Sequence, residues 1–290
     1  MIWRLRTRFR RGQRGFALLL VLWGLILLGL IAASFLRETR VGTTFAHNVV
    51  ENAKAEALAE AGVQRAMLGL LDSDPATAWR PDGRVYRFAF GEGTIKVQVQ
   101  DEGGKIDLNH ASAAVLTALF QAVGSDLDAA RKLADAILDY ADGDGDRRPA
   151  GAEDPDYAAA GLKEGAKDAP FARTEELMKV LGMTPSIYQA IADDVTVYSG
   201  RSEINRSTAP ELVLRTIPDL TARQLDQIMS ARSDLATSPP SRVDVVMIRA
   251  DATTTGGGRF VREAVARRSG KPENPFEILD WRHTWQASPP

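Results

Sequence analysis

The strongest constraint on this chain is a run of 21 residues without a charge, Phe16 to Leu36 (FALLLVLWGLILLGLIAASFL), directly behind an arginine-rich end. At ~1.5 Å of rise per helical residue the run matches the ~30 Å hydrocarbon layer of a bilayer, so it can cross once as a helix. Six arginines (4, 6, 8, 10, 11 and 14) precede it; removing them from the formal charge of −2 leaves −8 on the rest. Basic flanks stay on the cytoplasmic side, so the acidic body is expected across the membrane. A chain of 290 residues, 44% hydrophobic and 26% charged, can build a sizeable core beyond the span. It has no cysteine, which excludes disulfides, thiolate zinc sites, iron–sulfur clusters and cysteine nucleophiles.

The run admits three outcomes: a plain anchor, a secretory signal cut after the small residues Ile31-Ala32-Ala33-Ser34, or a leader cut before it. The third rests on Arg14-Gly15-Phe16, where a glycine closes the basic arm and an aromatic residue opens the apolar run. This triplet resembles the type III leader of type IV pilins and type II secretion pseudopilins, whose peptidase cuts after the glycine and methylates the new N-terminus.

No helix breaker follows the run until Asp74-Pro75, so one long helix is predicted, apolar first and amphipathic afterwards. Val49, Ala53, Ala57, Ala61, Met67 and Leu71 are expected to form its inward face. The period then changes to two, with Val85–Phe90 and Thr94–Gln100 flanking Gly91-Glu92-Gly93, which predicts a hairpin with Ile95, Val97 and Val99 on the face the helix covers. Further strands are expected at 195–199, 243–248, 259–267 and 276–281, giving an α+β fold.

Two helical blocks repeat at an offset of 96 residues: Asn109 matches Asn205, Ser112 matches Thr208, Ala113 matches Ala209 and Leu116 matches Leu212. Ser112 and Thr208 are the expected N-caps. Such paired hairpins raise an alternative reading, a membrane-anchored periplasmic binding or DNA-uptake module with helix-hairpin-helix repeats. Their breaks carry Asp126, Asp128 and Asp219 where phosphate binding needs cations, so no nucleic acid is expected as a partner.

The densest chemistry lies between Asp139 and Asp156, where seven carboxylates (Asp139, Asp142, Asp144, Asp146, Glu153, Asp154 and Asp156) fall within 18 residues. Glycines between alternate aspartates let hard oxygens converge, and the donor type suits Ca²⁺. Arg147 stands where an EF-hand loop starting at Asp142 would need glycine, so this is not an EF-hand. The alternative is a solvated acidic loop. His47, His110 and His283 are scattered, and no H-E-x-x-H, G-x-S-x-G, G-x-G-x-x-G or P-loop pattern occurs, so an enzyme is not expected.

The leader ending at Gly15, the apolar run, DEGGKIDLNHAS (101–112), DGDGDRRPAGAEDPDY (142–157), FARTEELMKVLGMTPSIY (171–188), VTVYSG (195–200) and EILDWR (277–282) together resemble the type II secretion minor pseudopilin K family. The resemblance implies an α+β pseudopilin fold with an inserted helical domain. It divides the chain into a leader (1–15), a transmembrane segment (16–37), the amphipathic helix with the first core strands (38–105) and a helical domain with the metal loop (106–194). A core strand (195–204), a second helical repeat (205–240) and C-terminal core strands (241–290) follow. It also implies cleavage between Gly15 and Phe16 by the prepilin peptidase, with N-methylation, and calcium held from among the seven carboxylates. The place it implies is the periplasmic pseudopilus tip, beside minor pseudopilins I and J, in a single-pass inner-membrane protein. Leu20 occupies the fifth mature position, where most pseudopilins carry glutamate, as the K component does.

Overall fold

The computed structural model describes residues 14–218, 220–234 and 243–283. Helix α1 runs unbroken from Arg14 to Leu71, 58 residues or about 87 Å. Its segment Phe16–Ser34 is long and apolar enough to cross a membrane, and none of it is buried. The helix stops at Asp72-Ser73-Asp74-Pro75: Asp72 accepts from the Asp74 N–H and the Thr77 hydroxyl (3.0 and 2.7 Å), and proline cannot continue the ladder.

Strands β1 (Asp82–Phe90) and β2 (Gly93–Asp101) form the expected hairpin. With β5 (Val245–Thr254), β6 (Arg259–Lys271) and β7 (Asn274–His283) they make an antiparallel sheet ordered β1-β2-β5-β6-β7. Ile95, Val97, Val99, Ile248, Ala250 and Ala264 are fully buried on one face, beneath the second half of α1.

The inward face of α1 differs from the expected one. Val49 is 52% exposed, and Ala53 and Ala57 face solvent. The buried positions are Glu51, Ala55, Ala59, Gly62, Val63, Ala66, Met67 and Gly69. The reason is volume: a sheet face already filled by isoleucine and valine leaves room only for a helix edge of small side chains. A Cβ on Gly62 would lie 2.8 Å from Ile95 Cγ2 and 3.0 Å from Ala250 Cβ. One on Gly69 would lie 2.4 Å from Trp79 Cγ, where the chain doubles back and the indole stacks on Tyr86 at 4.1 Å.

The described residues between β2 and β5 form a second unit. A 3₁₀ turn (Glu102–Gly104) leads into β3 (Ile106–Asp107), and α2 (Ala113–Ala122) and α3 (Leu127–Ala141) make the first helical hairpin. Helix α4 (Asp154–Ala159), a 3₁₀ segment (Thr174–Lys179), α5 (Pro185–Ile191) and β4 (Val195–Thr196) follow. Helices α6 (Glu211–Leu214) and α7 (Ala222–Asp234) make the second hairpin.

Three expectations are corrected here. The strand at 195–204 does not join the core sheet; only Val195 and Thr196 are extended, pairing in parallel with Ile106 and Asp107 inside the helical unit. The stretches 106–194 and 205–240 are not separate repeats across a core strand, because Ala209, Val213 and Leu214 share one apolar core with Leu116, Phe120 and Ile137. Ser112 caps α2 through the Val115 N–H, but Thr208 caps nothing: its hydroxyl donates to Asp101 at 2.6 Å. Asp219 lies outside the described residues.

Asp194, beside β4, has its carboxyl pushed up to about 6 by burial, with Asp193 adding to the effect and Lys105 opposing it. A carboxyl that holds its proton more tightly when folded than its ordinary 3.8 stabilises the fold in acid. Stability should therefore fall as pH rises from about 4 to about 6 and level off above. Asp194→Asn should remove that dependence and raise the melting temperature at pH 7; equal melting curves for both proteins at pH 7 would contradict this. Gly62→Leu should cost about 2 kcal/mol by denaturant unfolding, from overpacking. Ala57→Leu, on the exposed side, should stay within about 0.5 kcal/mol of the wild type.

Candidate functional site

Two regions carry the residues singled out by sequence. Gly15 and Phe16 lie in the first turn of α1, with Phe16 exposed; of the expected leader at 1–15, residues 1–13 lie outside the described residues.

The acidic segment runs from the last turn of α3 into α4. Helix α3 forms because Asp126 caps it, accepting from the Ala129 N–H at 2.8 Å, and because its apolar residues fall at helical spacing. That register turns Asp139 inward, where it is fully buried, while Asp142 ends the helix. Arg148 folds back onto both. Its Nη1 donates to Asp139 Oδ1 at 2.6 Å and to Asp142 Oδ2 at 2.5 Å, and its backbone N–H donates to Asp139 Oδ2 at 3.1 Å. Asp142 and Asp139 together hold the guanidinium even more firmly protonated than usual.

The other carboxylates serve local ends. Asp156 accepts from the Glu153 N–H at the start of α4 (3.0 Å) and from Arg147 (2.9 Å), which lowers its pKa, the backbone bond most. Asp154 accepts from the Ala166 N–H (3.0 Å), and Asp144 from the Asp146 N–H (3.0 Å). The seven thus do not converge on one point, and among the described residues no group of three or more His, Cys, Asp or Glu is arranged to hold a metal.

Two oxygens remain buried without a hydrogen-bond partner, Asp142 Oδ1 and Glu153 Oε1. Glu153 is only 7% exposed. Its carboxyl is held above the ordinary range by burial first, then by the charges of Asp139, Asp142, Asp168 and Asp144. An anionic environment with unpartnered buried oxygens fits one further hard cation, since an unpaired buried acceptor is costly. The part of the loop that fits is therefore smaller than the sequence pool: Asp142 and Glu153, with Asp144 and Asp168 contributing charge.

Sequence reading missed two participants. Arg148 is an internal cation, and a basic pair inside an acidic run was its signal. Asp168 comes from a separate loop and has a left-handed backbone (φ 54°), anchored where the Lys167 and Asp168 N–H groups both reach the Tyr140 carbonyl (3.0 and 3.1 Å); nothing in the local sequence marks it.

Asp107, His110 and Ser199 also meet but are not wired as a nucleophile and its base. Ser199 Oγ donates to Asp107 Oδ2 (2.9 Å) and His110 Nδ1 lies 3.1 Å from Asp107 Oδ1. Asp107 also accepts the Asn109 and Gly200 N–H groups (2.9 and 2.8 Å), so the buried Asp107 carboxylate is a staple for the β4 loop, with the His110 ring on its exposed side.

Residues 97–200, from β2 through β4 and including the acidic segment, match the family described as type II secretion system (T2SS), protein K. A type II secretion system protein K from Klebsiella pneumoniae is 27% identical, with 76% of each chain covered. Among solved structures, a chain of the GspK–GspI–GspJ complex of the type 2 secretion system of enterotoxigenic Escherichia coli superposes with a TM-score of 0.58 at 19% identity. That alignment covers 86% of this chain and all of the other.

Arg148→Ala should cost about 3 kcal/mol in unfolding free energy, because it leaves the buried Asp139 carboxylate with a backbone N–H but without its counter-charge. Arg148→Ala combined with Asp139→Asn should recover a large part of that loss. A single variant as stable as the wild type would show that Asp139 does not depend on Arg148.

Proposed function

We propose that the chain is a member of the type II secretion system protein K family and works as a minor pseudopilin, a structural subunit at the tip of the periplasmic pseudopilus that assembly and secretion require. The observation that carries this is architectural: one helix has an apolar stretch long enough to cross a membrane and is also the spine of the sheet, and the sheet carries a bulky helical insertion. Such a helix places the folded units directly above the bilayer. A head enlarged by insertion suits the end of a filament, where a subunit has no neighbour above it. The arginine-rich start stays cytoplasmic and the folded units lie in the periplasm. Minor pseudopilins I and J are the partners, in keeping with the related complex from Escherichia coli. The contribution is assembly and not catalysis.

The prepilin peptidase cuts between Gly15 and Phe16, and the new terminus is N-methylated. Intact-mass measurement on protein from membranes tests this. A chain starting at methylated Phe16 only in cells with the peptidase is the expected result; a chain uncut or starting near Ser34 would contradict it.

Calcium binds at the acidic loop. Asp142 and Glu153 would hold it through the oxygens now without partners, with Asp144 nearby, while Arg148 keeps Asp139 neutralised. The ion would cancel the mutual repulsion of these carboxylates and fix the end of α3 to the start of α4. Ligand present at about 100 times its dissociation constant adds about 2.7 kcal/mol of stability. A calcium-dependent rise in melting temperature, reversed by chelator and absent in Glu153→Gln, is expected. Identical melting in calcium and in chelator would overturn the assignment.

A further inference from the structure

The two apolar cores share no residue. Val265, on the sheet face away from α1, is buried and lines a cleft with Val195 of the helical unit; the hydrogen bonds and ion pairs that join the two among the described residues include two groups of different character. The first surrounds the 3₁₀ turn at the end of β2. Asp101, 3% exposed, accepts from Thr208 Oγ1 (2.6 Å) and Asn205 Nδ2 (2.8 Å). Gln100 Nε2 donates to the Thr208 carbonyl (2.9 Å), and the Asn205 N–H donates to the Gly103 carbonyl (2.8 Å). Gly104 lies so close that a Cβ there would be 2.9 Å from the Ala209 nitrogen.

The second group lies on the sheet face away from α1. Arg282 Nη1 donates to Glu175 Oε1 at 3.0 Å, and the Tyr198 hydroxyl donates to Asp280 Oδ2 at 3.3 Å. A cleft of about 50 Å³, lined by Glu102, Lys105, Thr196 and Met247 among others, runs beside these contacts. Two further ties among the described residues are also at the surface: an ion pair between Arg201 and Asp244, and Arg84 reaching the Arg232 carbonyl at 3.4 Å.

The groups differ in strength. Buried hydrogen bonds with every partner present are expensive to break. The Arg282 and Glu175 side chains are 30% and 51% exposed, and an ion pair in such a setting contributes about 0–1 kcal/mol and is weakened by salt. Arg282 stays aimed outward whether or not Glu175 is present, because its Nε donates to Glu263 (3.0 Å), itself paired with Arg249 (2.8 Å).

We infer that the helical unit is hinged on the bonds of 100–104 with 205–209 and latched to the sheet by Glu175–Arg282 and Tyr198–Asp280, and that raising ionic strength opens the latch while both cores stay folded. The inference stands apart from the pseudopilin reading. Motion between units of one chain is the ordinary expectation unless the interface between them is large and hydrophobic.

The absence of cysteine from the chain makes the test direct. Cysteines at exposed Lys96 on β2 and Lys132 on α3, spin-labelled in the full-length protein in detergent, report the distance between the units. Salt is raised from about 0.01 M to about 1 M, over which the screening length falls from ~30 to ~3 Å. In the wild type a single narrow distance at low salt should become broad at high salt. In Glu175→Gln/Tyr198→Phe it should be broad at both, with unchanged helical content. A double variant that keeps the narrow low-salt distance would overturn the inference. So would one that loses helicity, since those contacts would then hold the fold itself.

Discussion

The close approach of α1 to the sheet is the contact on which the rest depends. A helix edge made of Ala55, Ala59, Gly62, Ala66 and Gly69 lets backbone lie almost against Ile95, Val97 and Ala250. Dense packing of this kind transmits position rigidly, because interiors have few voids to absorb a shift. Glu51 extends the same grip to the β5–β6 turn: its carboxylate accepts the Thr254 hydroxyl at 2.6 Å, and Gly258 lies against its backbone. The helix that carries the apolar stretch Phe16–Ser34 is therefore also the element that fixes where the sheet stands.

From that base the structure becomes progressively more polar. The sheet is held to α1 by apolar contact, the helical unit is held to the sheet by hydrogen bonds and ion pairs, and the acidic loop is held by arginine against carboxylate. Glu263 shows how the layers connect, since one carboxylate pairs with Arg249 of the sheet and with Arg282, which reaches the helical unit. Arg262 ties back the other way, to Glu56 and Glu60 of α1. At the acidic loop the internal cations are fewer than the carboxylates around them, and that imbalance makes a bound divalent ion chemically reasonable.

Much of this was legible in the residues. The long helix with its apolar stretch, the hairpin at 85–100, the cap Ser112 and the strands after 243 follow from charge, period and capping chemistry that act locally. The inward face of α1 did not. Choosing it by apolar residues at helical spacing (Val49, Ala53, Ala57, Ala61, Met67 and Leu71) found Met67 but passed over the glycines, and which edge must be small depends on the sheet it meets. The role of 195–204 was misread for a related reason, because a short apolar run shows that a strand forms but not which sheet it joins. The carboxylate pool at 139–156 was visible as composition. Its division among Arg148, Arg147 and backbone donors depends on how α3 enters the loop, and Asp168 arrives from a loop that no spacing rule connects to it.

The central claim is that this helix and its two folded units form a filament-tip subunit, and its most direct test is association with the proposed neighbours. Full-length protein solubilised from membranes that also contain minor pseudopilins I and J should co-purify with both as one species of defined mass. Recovery of this chain alone at micromolar concentration, with I and J still paired to each other, would contradict the account.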